Sequence, residues 1–317
     1  MSSGAWDRVP IAAQTIEATL SQFATFLVLD IGPGDDDLAT VRDTISGIDD
    51  LLKTVGFRDL SARLSCVVGV GSAAWDRLSP GHRPRQLRTF PAIDGGKNVA
   101  PSTPGDLLLH VRAERSDLCF EFVRVVMNAL GGSVTVVDET TAFRYFDARD
   151  LLGFVDGTAN PVGPELTEAA LVGDEDPDFA GGSYVVVQKY LHDLSTWASY
   201  GADKQSEIVG RDKADNTEHP DAETGQKAHK TLATLEVGGV ERAILRDNMP
   251  FGRAGSGEFG TYFIGYAGNV TVTLTMLRRM FLGDPLGMYD RILDVSTATT
   301  GTIFFAPSAD QLASLGG

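Results

Sequence analysis

The sequence is short of cysteine, of positive charge and of long apolar stretches, and each shortage excludes a class of protein. Only 2 of its 317 residues are cysteine. Cys66 and Cys119 lie in apolar segments without partners at metal-ligand spacing, so we interpret both as small core residues, while a disulfide between them stays open. With 27 Lys and Arg against 43 Asp and Glu, the net charge is −16, which opposes binding to nucleic acid or to an anionic membrane.

Export and membrane signals are missing as well. No apolar run approaches the length of a membrane span, and residues 1–14 lack the basic and apolar regions of a secretion signal. We therefore expect a soluble protein that stays in the cytoplasm. The apolar fraction of 43% is ample for a folded core. Because 317 residues exceed the usual size of one compact domain, the length favours two modules.

Strand-like and helix-like patterns recur in the same order in the two halves of the chain. In the first half the predicted strands are 23–31, 64–70 and 107–111, and the predicted helices are 41–55, 73–78 and 116–130. In the second half the predicted strands are 184–190 and 262–266, with helices from about 194 and at 272–281. This order predicts an α+β fold made of two related modules with antiparallel sheets.

One acid stands out because of the residues that lead to it. Residues 151–161 read LLGFVDGTANP, so Asp156 follows an apolar approach and enters a turn. An ordinary turn aspartate would be solvated. The apolar approach instead favours partial burial, which would raise the pKa of the carboxyl group unless a cation lies nearby.

A histidine and an arginine further along the chain are the other candidates for chemistry. His229 stands between a polar loop and a predicted extended run at 231–237, and a lone histidine can equally be a hydrogen-bonded structural residue. Arg246 and Asn248 alternate in one segment, so they point to the same side of a strand. A structural salt bridge would also account for Arg246. His192, which follows a strand and precedes an acid, is the rival candidate for a metal ligand.

Together these stretches resemble the dye-decolorising peroxidase family, in particular its cytoplasmic bacterial B-type branch. The sequence Gly153-Phe154-Val155-Asp156-Gly157 matches the glycine-x-x-aspartate-glycine signature of that family. The resemblance extends over nearly the whole chain. Its further matches are 69–78, 103–108, 246–252, 259–266, 280–283, 290–294 and 296–305.

The resemblance implies a fold, a cofactor and a reaction. The fold is two ferredoxin-like modules with antiparallel β-sheets and peripheral helices, at residues 1–145 and 146–317, with haem b in the second. The reaction is the reduction of hydrogen peroxide, coupled to one-electron oxidation of dyes, phenolic compounds or metal ions. Such a protein would form dimers or larger rings. It would need no nucleic acid and no membrane.

The resemblance also implies roles for individual residues. His229 would be the axial ligand of the haem iron, and Asp290 would accept a hydrogen bond from its imidazole, with Asp294 as the competing choice. On the distal side, Asp156 would be the acid, Arg246 the cation and Asn248 a further polar group over the iron. Arg211 would pair with a haem propionate. In peroxide cleavage Asp156 would relay the proton, and Arg246 would stabilise the charge on the leaving oxygen.

The chain departs from the family pattern at two places, and several alternatives stay open. Alanine stands at 159 where the family usually has glutamate, and Ala228-His229-Lys230 replaces a serine-histidine-valine sequence.

Trp75, Trp197 or a tyrosine could pass electrons from bulky reductants. A haem enzyme for chlorite breakdown or iron release and a haem-storage protein are the competing functions. Cargo of a protein nanocompartment is another, although no docking tail follows 315–317.

Overall fold

The computed structural model describes residues 14–222 and 224–316. The first 13 residues of the expected N-terminal module, Glu223 and Gly317 therefore lie outside the described residues.

The described chain is a mixture of strands and helices. The strands are β1 Phe23–Ile31, β2 Ser65–Gly71, β3 Ile93–Asp94, β4 Val99–Ala100, β5 Leu107–Ala113, β6 Val134–Phe143, β7 Ser183–His192, β8 Leu235–Val237, β9 Val240–Arg242, β10 Leu245–Arg246, β11 Met249–Arg253, β12 Glu258–Ala267, β13 Ser296–Ala298 and β14 Thr302–Ala306. The helices are α1 Asp35–Ser46, α2 Ile48–Gly56, α3 Ser72–Leu78, α4 Ser116–Leu130, α5 Pro164–Ala170, α6 Leu194–Ser199, α7 Ala202–Val209, α8 His229–Leu232, α9 Val270–Leu282 and α10 Ala309–Ser314.

The two halves of the chain have the same strand order. In the first half the order is β2-β5-β1-β6, and in the second half it is β10-β12-β7-β14, with every neighbouring pair antiparallel. In each half the third strand therefore lies between the second and the first. The predicted α+β fold of two related modules is confirmed.

The two half-sheets join into one sheet because β14 pairs with β2, with Phe304 opposite Gly71. This pairing satisfies backbone groups that two separate sheet edges would expose. The joined sheet then folds back on itself. Phe26 of β1 stacks on Tyr262 of β12 with ring centroids 4.0 Å apart, although four strands separate β1 from β12 in the sheet. One face of each half is covered by helices, and the other faces meet in a shared core.

Two predicted elements differ from the structure. The helix expected at 41–55 is divided into α1 and α2 by Gly47, whose N–H bonds back to the Asp43 carbonyl as α1 ends. The extended run expected at 231–237 is wrong in its first part, because residues 229–232 form the single turn of α8. Tertiary contacts account for that turn, since the Arg279 side chain donates to the carbonyl oxygens of Thr231 and Thr234.

Candidate active site

A cavity of about 940 Å³ lies in the second half of the chain. The turn around Asp156, the end of β10, helix α8 and helix α9 all contribute to its walls. The proposed site residues that line it are Asp156, Arg211, His229, Arg246 and Asn248. The fold therefore brings together residues that lie up to 92 positions apart, 156 to 248.

Asp290 lies behind His229 and holds its ring. The Nδ1 atom of His229 is 2.6 Å from Oδ2 of Asp290, which is fully buried. The other oxygen of Asp290 accepts the backbone N–H of Ile292. Burial alone would lower the pKa of His229, but the charge and hydrogen bond of Asp290 outweigh it, and the pKa is raised. No described residue hydrogen-bonds to Nε2 of His229, which leaves this nitrogen able to bind a metal.

The rival histidine is engaged at both ring nitrogens. His192 also lines the cavity, but its Nδ1 lies 2.8 Å from the Ser296 hydroxyl and its Nε2 lies 2.9 Å from the Thr261 hydroxyl. Burial lowers the pKa of His192 to about 4, so the ring is neutral. A ligand role for His192 would first require one of these hydrogen bonds to break. The geometry therefore favours His229 over His192.

The competing acid, Asp294, is occupied elsewhere. Its carboxylate pairs with Lys97 and with Arg291, and it accepts the Tyr289 hydroxyl at 2.8 Å. It makes no hydrogen bond to His229 within the described chain. The structure thus distinguishes the two acids that the sequence left open.

Asp156 is held at the wall of the cavity by its own turn. Its carboxylate accepts the backbone N–H of Gly157 at 2.7 Å. Burial raises the pKa of Asp156, while the Gly157 N–H, the Arg246 charge and the Asn248 side chain oppose the rise. The predicted effect of the apolar approach is present, and it outweighs the effect of the nearby cation.

A residue that the sequence did not single out positions Arg246. The side-chain amide of Asn160 donates to the Arg246 carbonyl at 2.7 Å and accepts the Arg246 N–H at 2.9 Å. The Asp156 turn and β10 are thereby joined edge to edge. The Arg246 guanidinium donates to the Ala233 carbonyl at 2.8 Å, which ties it to the end of α8. In the sequence, the one sign of this role is that Asn160 follows Asp156 by four residues in the same turn.

A second acid lines the same wall. Asp150 accepts the backbone N–H of Phe154 at 3.0 Å. Burial raises the pKa of Asp150 to about 6, with the charge of Asp156 adding to the rise. Asp150 is therefore a second carboxyl group of the cavity wall that titrates above the ordinary range.

Of the two departures from the family pattern, one forms ion pairs beside the cavity and the other does not. Lys230 binds Glu218 at 2.8 Å and Asp221 at 2.6 Å, and Arg211 binds Glu218 at 2.6 Å. Ala159 lines the cavity without adding a charge. Arg211 thus already has a carboxylate partner, and its pairing with a propionate stays a prediction.

The walls suit a mostly apolar cofactor that carries carboxylate groups. Apolar lining side chains include Leu152, Phe154, Ile244, Phe263, Leu277 and Met280, and basic ones include Arg211, Lys230 and Arg279. The volume lies in the range of small-molecule and cofactor sites. No group of three or more potential metal ligands occurs among the residues described. A site with one free imidazole nitrogen therefore suits a metal whose other ligands come from a macrocycle better than it suits a bare metal ion.

Comparisons with known proteins give consistent results. The family model "Dyp-type peroxidase, N-terminal" matches residues 13–144, and "Dyp-type peroxidase, C-terminal" matches residues 147–311. A dye-decolorizing peroxidase of Rhodococcus erythropolis is 50% identical over 96% of this chain and 89% of its own length. A solved DypB variant of Rhodococcus jostii in complex with haem is 56% identical, with a TM-score of 0.93 over 95% of this chain and 98% of that one. The encapsulated DyP-type peroxidase from Mycobacterium smegmatis is 50% identical, with a TM-score of 0.92 over 95% of this chain and 97% of that one.

Proposed function

This chain belongs to the Dyp-type peroxidase family and is a peroxidase, and we propose that it holds haem b through His229 and uses Asp156 and Arg246 on hydrogen peroxide. The observation that carries the proposal is the His229–Asp290 hydrogen bond of 2.6 Å, which leaves Nε2 available in the cavity that Asp156 and Arg246 also line. Bound haem would supply the redox-active iron. A haem-storage role is not favoured, because the family is enzymatic.

The protein groups have separate tasks in this reaction. The Asp156 carboxylate, when ionised, takes the proton from one oxygen of hydrogen peroxide and delivers it to the other. The Arg246 guanidinium donates hydrogen bonds to the departing oxygen and stabilises its negative charge. Asn248 sets the position of the Asp156 carboxyl, and Asp290 keeps the His229 ring in one orientation.

The rate of reaction with peroxide should depend on the ionisation of Asp156. Because its pKa is raised above 3.8, we expect the second-order rate constant to fall by about tenfold for each pH unit below that pKa, where the group is protonated and cannot accept a proton. Stopped-flow mixing of the haem-loaded enzyme with peroxide across a pH series measures it.

Two variants test this assignment. Asp156→Asn should be slow at every pH, with the acid limb lost. Asp150 is the other buried acid of the cavity wall and burial raises its pKa to about 6, so Asp150→Asn is the matched control and should leave the acid limb and the upper rate unchanged. An acid limb that persists in Asp156→Asn would assign the titration to another group.

Asp290 should control both the affinity for haem and the potential of its iron. Asp290→Asn keeps an acceptor for the His229 N–H but removes the charge, so we expect haem affinity to fall by about 10- to 100-fold. The iron reduction potential should rise, because the imidazole becomes less electron-donating. Haem transfer to an acceptor protein and a spectroelectrochemical titration measure the two effects. Asp294→Asn is the matched control and should change neither.

No helix in the described part of the chain is long and apolar enough to cross a membrane. We propose that the protein acts in the cytoplasm as a homo-oligomer. Its N-terminal module would comprise residues 1–145 and its C-terminal module residues 146–317. Its reductants would be dyes, phenolic compounds or metal ions. Because one relative is an encapsulated peroxidase, co-purification with a shell-sized particle is worth measuring by size-exclusion chromatography.

A further inference from the structure

A polar cluster is buried in the core that the two half-sheets share. It consists of His110 and Arg112 of β5, Asp247 between β10 and β11, and Tyr266 of β12, all at most 2% exposed. The Tyr266 hydroxyl lies 2.8 Å from Nδ1 of His110, and Arg112 donates to Oδ2 of Asp247 at 2.8 Å. None of the four residues lines the cavity described above. The peroxide chemistry proposed for that cavity therefore leaves them without a role.

The protonation states set the direction of the Tyr266–His110 hydrogen bond. Burial, assisted by the charge of Arg112, lowers the pKa of His110 well below its ordinary value, so the ring is neutral. Burial raises the pKa of Tyr266, so the phenol keeps its proton. The Tyr266 O–H therefore donates to the Nδ1 lone pair of His110. Stacking on Phe26, with ring centroids 4.6 Å apart, holds the imidazole in this orientation.

Two polar atoms of the cluster lack hydrogen-bond partners among the described residues, and this favours a role in proton transfer. Nε2 of His110 and Oδ1 of Asp247 are buried without hydrogen-bond partners in the described structure. Nε2 lies 3.9 Å from Oδ2 of Asp247, which is too long for a hydrogen bond. Such unpaired groups are costly in a core and call for an explanation. A proton transferred to Nδ1 would make the ring a cation 3.9 Å from the Asp247 carboxylate, whose negative charge would offset the positive charge of Arg112.

The pair lies directly behind the wall of the cavity. Arg246 lies opposite Gly265 in the pairing of β10 with β12, and Leu245 lies opposite Tyr266. Arg246 and Phe263 line the cavity, whereas Asp247 and Tyr266 belong to the buried cluster. Because successive residues of a strand point to opposite faces, one layer of backbone separates Tyr266 from the cavity. That separation permits electron transfer without contact with the substrate.

We propose that Tyr266 and His110 form a proton-coupled redox site that gives one electron to the enzyme after hydrogen peroxide has oxidised it. The inference rests on the proposed function, which supplies the oxidant. As the electron leaves, the O–H bond of Tyr266 breaks and an N–H bond forms at Nδ1 of His110. The products are a neutral tyrosyl radical and an imidazolium beside Asp247. An external one-electron reductant reverses the step, and the proton returns to the phenolate oxygen.

The chain contains a matched control on the same strand. Tyr262 precedes Tyr266 by four residues, so both side chains point to the same face of β12. It is 1% exposed and stacks on Phe26 with ring centroids 4.0 Å apart. No described residue hydrogen-bonds to its hydroxyl group. Because its proton has no acceptor, Tyr262 should be much harder to oxidise than Tyr266.

The experiment is freeze-quench electron paramagnetic resonance on the haem-loaded enzyme, mixed with one equivalent of peroxide and no reductant. Samples are the parent, Tyr266→Phe and Tyr262→Phe, each made with ordinary and with ring-deuterated tyrosine. The optical spectrum of each sample records whether haem is bound and whether peroxide has reacted. We expect a tyrosyl signal, narrowed by deuteration, in the parent and in Tyr262→Phe, and its loss in Tyr266→Phe.

A second measurement does not depend on any substitution. In the parent prepared in D₂O, electron–nuclear double resonance should detect one exchangeable deuteron hydrogen-bonded to the radical oxygen, the one carried by His110. A signal that survives in Tyr266→Phe, a radical without that deuteron, or no tyrosyl radical although peroxide has reacted would each overturn the proposal. Optical spectra that show no reaction of the parent with peroxide would instead overturn the proposed function, and the redox site with it.

Discussion

Replacing His229 by alanine is expected to abolish normal haem binding. The variant removes the one cavity histidine with a ring nitrogen free of protein hydrogen bonds in the described structure. Loss of a group that merely orients a metal ligand costs about 10- to 100-fold in affinity, so loss of the ligand itself should cost more than about 100-fold. Titration of the apoprotein with haem, followed by absorption, measures the affinity and the ligation state together.

The matched control is His192→Ala. This residue lines the same cavity but bonds to Ser296 and Thr261 through its two nitrogens. We expect haem affinity and the ferric spectrum of this variant to stay close to those of the parent. Addition of free imidazole to His229→Ala should restore a parent-like spectrum by occupying the vacated position. An unchanged spectrum in His229→Ala, with an altered one in His192→Ala, would transfer the ligand role to His192.

The second large effect is expected at Arg246. Arg246→Ala removes the guanidinium that stabilises charge on the departing oxygen, and loss of one such donor costs about 100- to 1000-fold in rate. It also removes a neighbouring charge that lowers the pKa of Asp156. The acid limb of the pH profile should therefore move to higher pH while the upper rate falls. Stopped-flow reaction with peroxide over a pH series separates these two effects.

Arg246 also has a structural contact, so its test needs a control for structure. The guanidinium donates to the Ala233 carbonyl, next to the turn that carries His229. Arg279 lines the cavity too and donates to the carbonyl oxygens of Thr231 and Thr234, so Arg279→Ala loosens the same segment. We expect Arg279→Ala to keep the rate with peroxide within about tenfold of the parent. Equal losses in both variants would assign the effect of Arg246 to structure alone.

A double-mutant cycle of Asp156→Ala, Arg246→Ala and the double variant would measure how far the two groups act together in the reaction with peroxide. The effects of groups that act on one transition state are not additive. The rate constant for reaction with peroxide should therefore fall much less in the double variant than the product of the two single fold-changes. Additive losses would mean that the two side chains act in separate steps.

The regular elements were predictable where the pattern is long and local. The helix at 116–130 and the strand at 23–31 agree with α4 and β1 at both ends. In these segments the apolar residues repeat at helical or strand spacing, and the core selects the same face. The division at Gly47 and the turn at His229 were missed because one glycine and a few side-chain contacts to carbonyl groups decided them.

The candidate site divides in the same way. By itself the sequence determined the α+β class, the family resemblance and the set of polar groups, because motifs such as residues 153–157 are contiguous in the chain. Only the tertiary structure decided which groups meet. It brought Asp290 rather than Asp294 to His229, occupied both nitrogens of His192, and joined Asn160 to Arg246 across 86 residues. Hydrogen bonds of this kind depend on distances between distant strands and turns, and those distances exist only after the sheet has folded on itself.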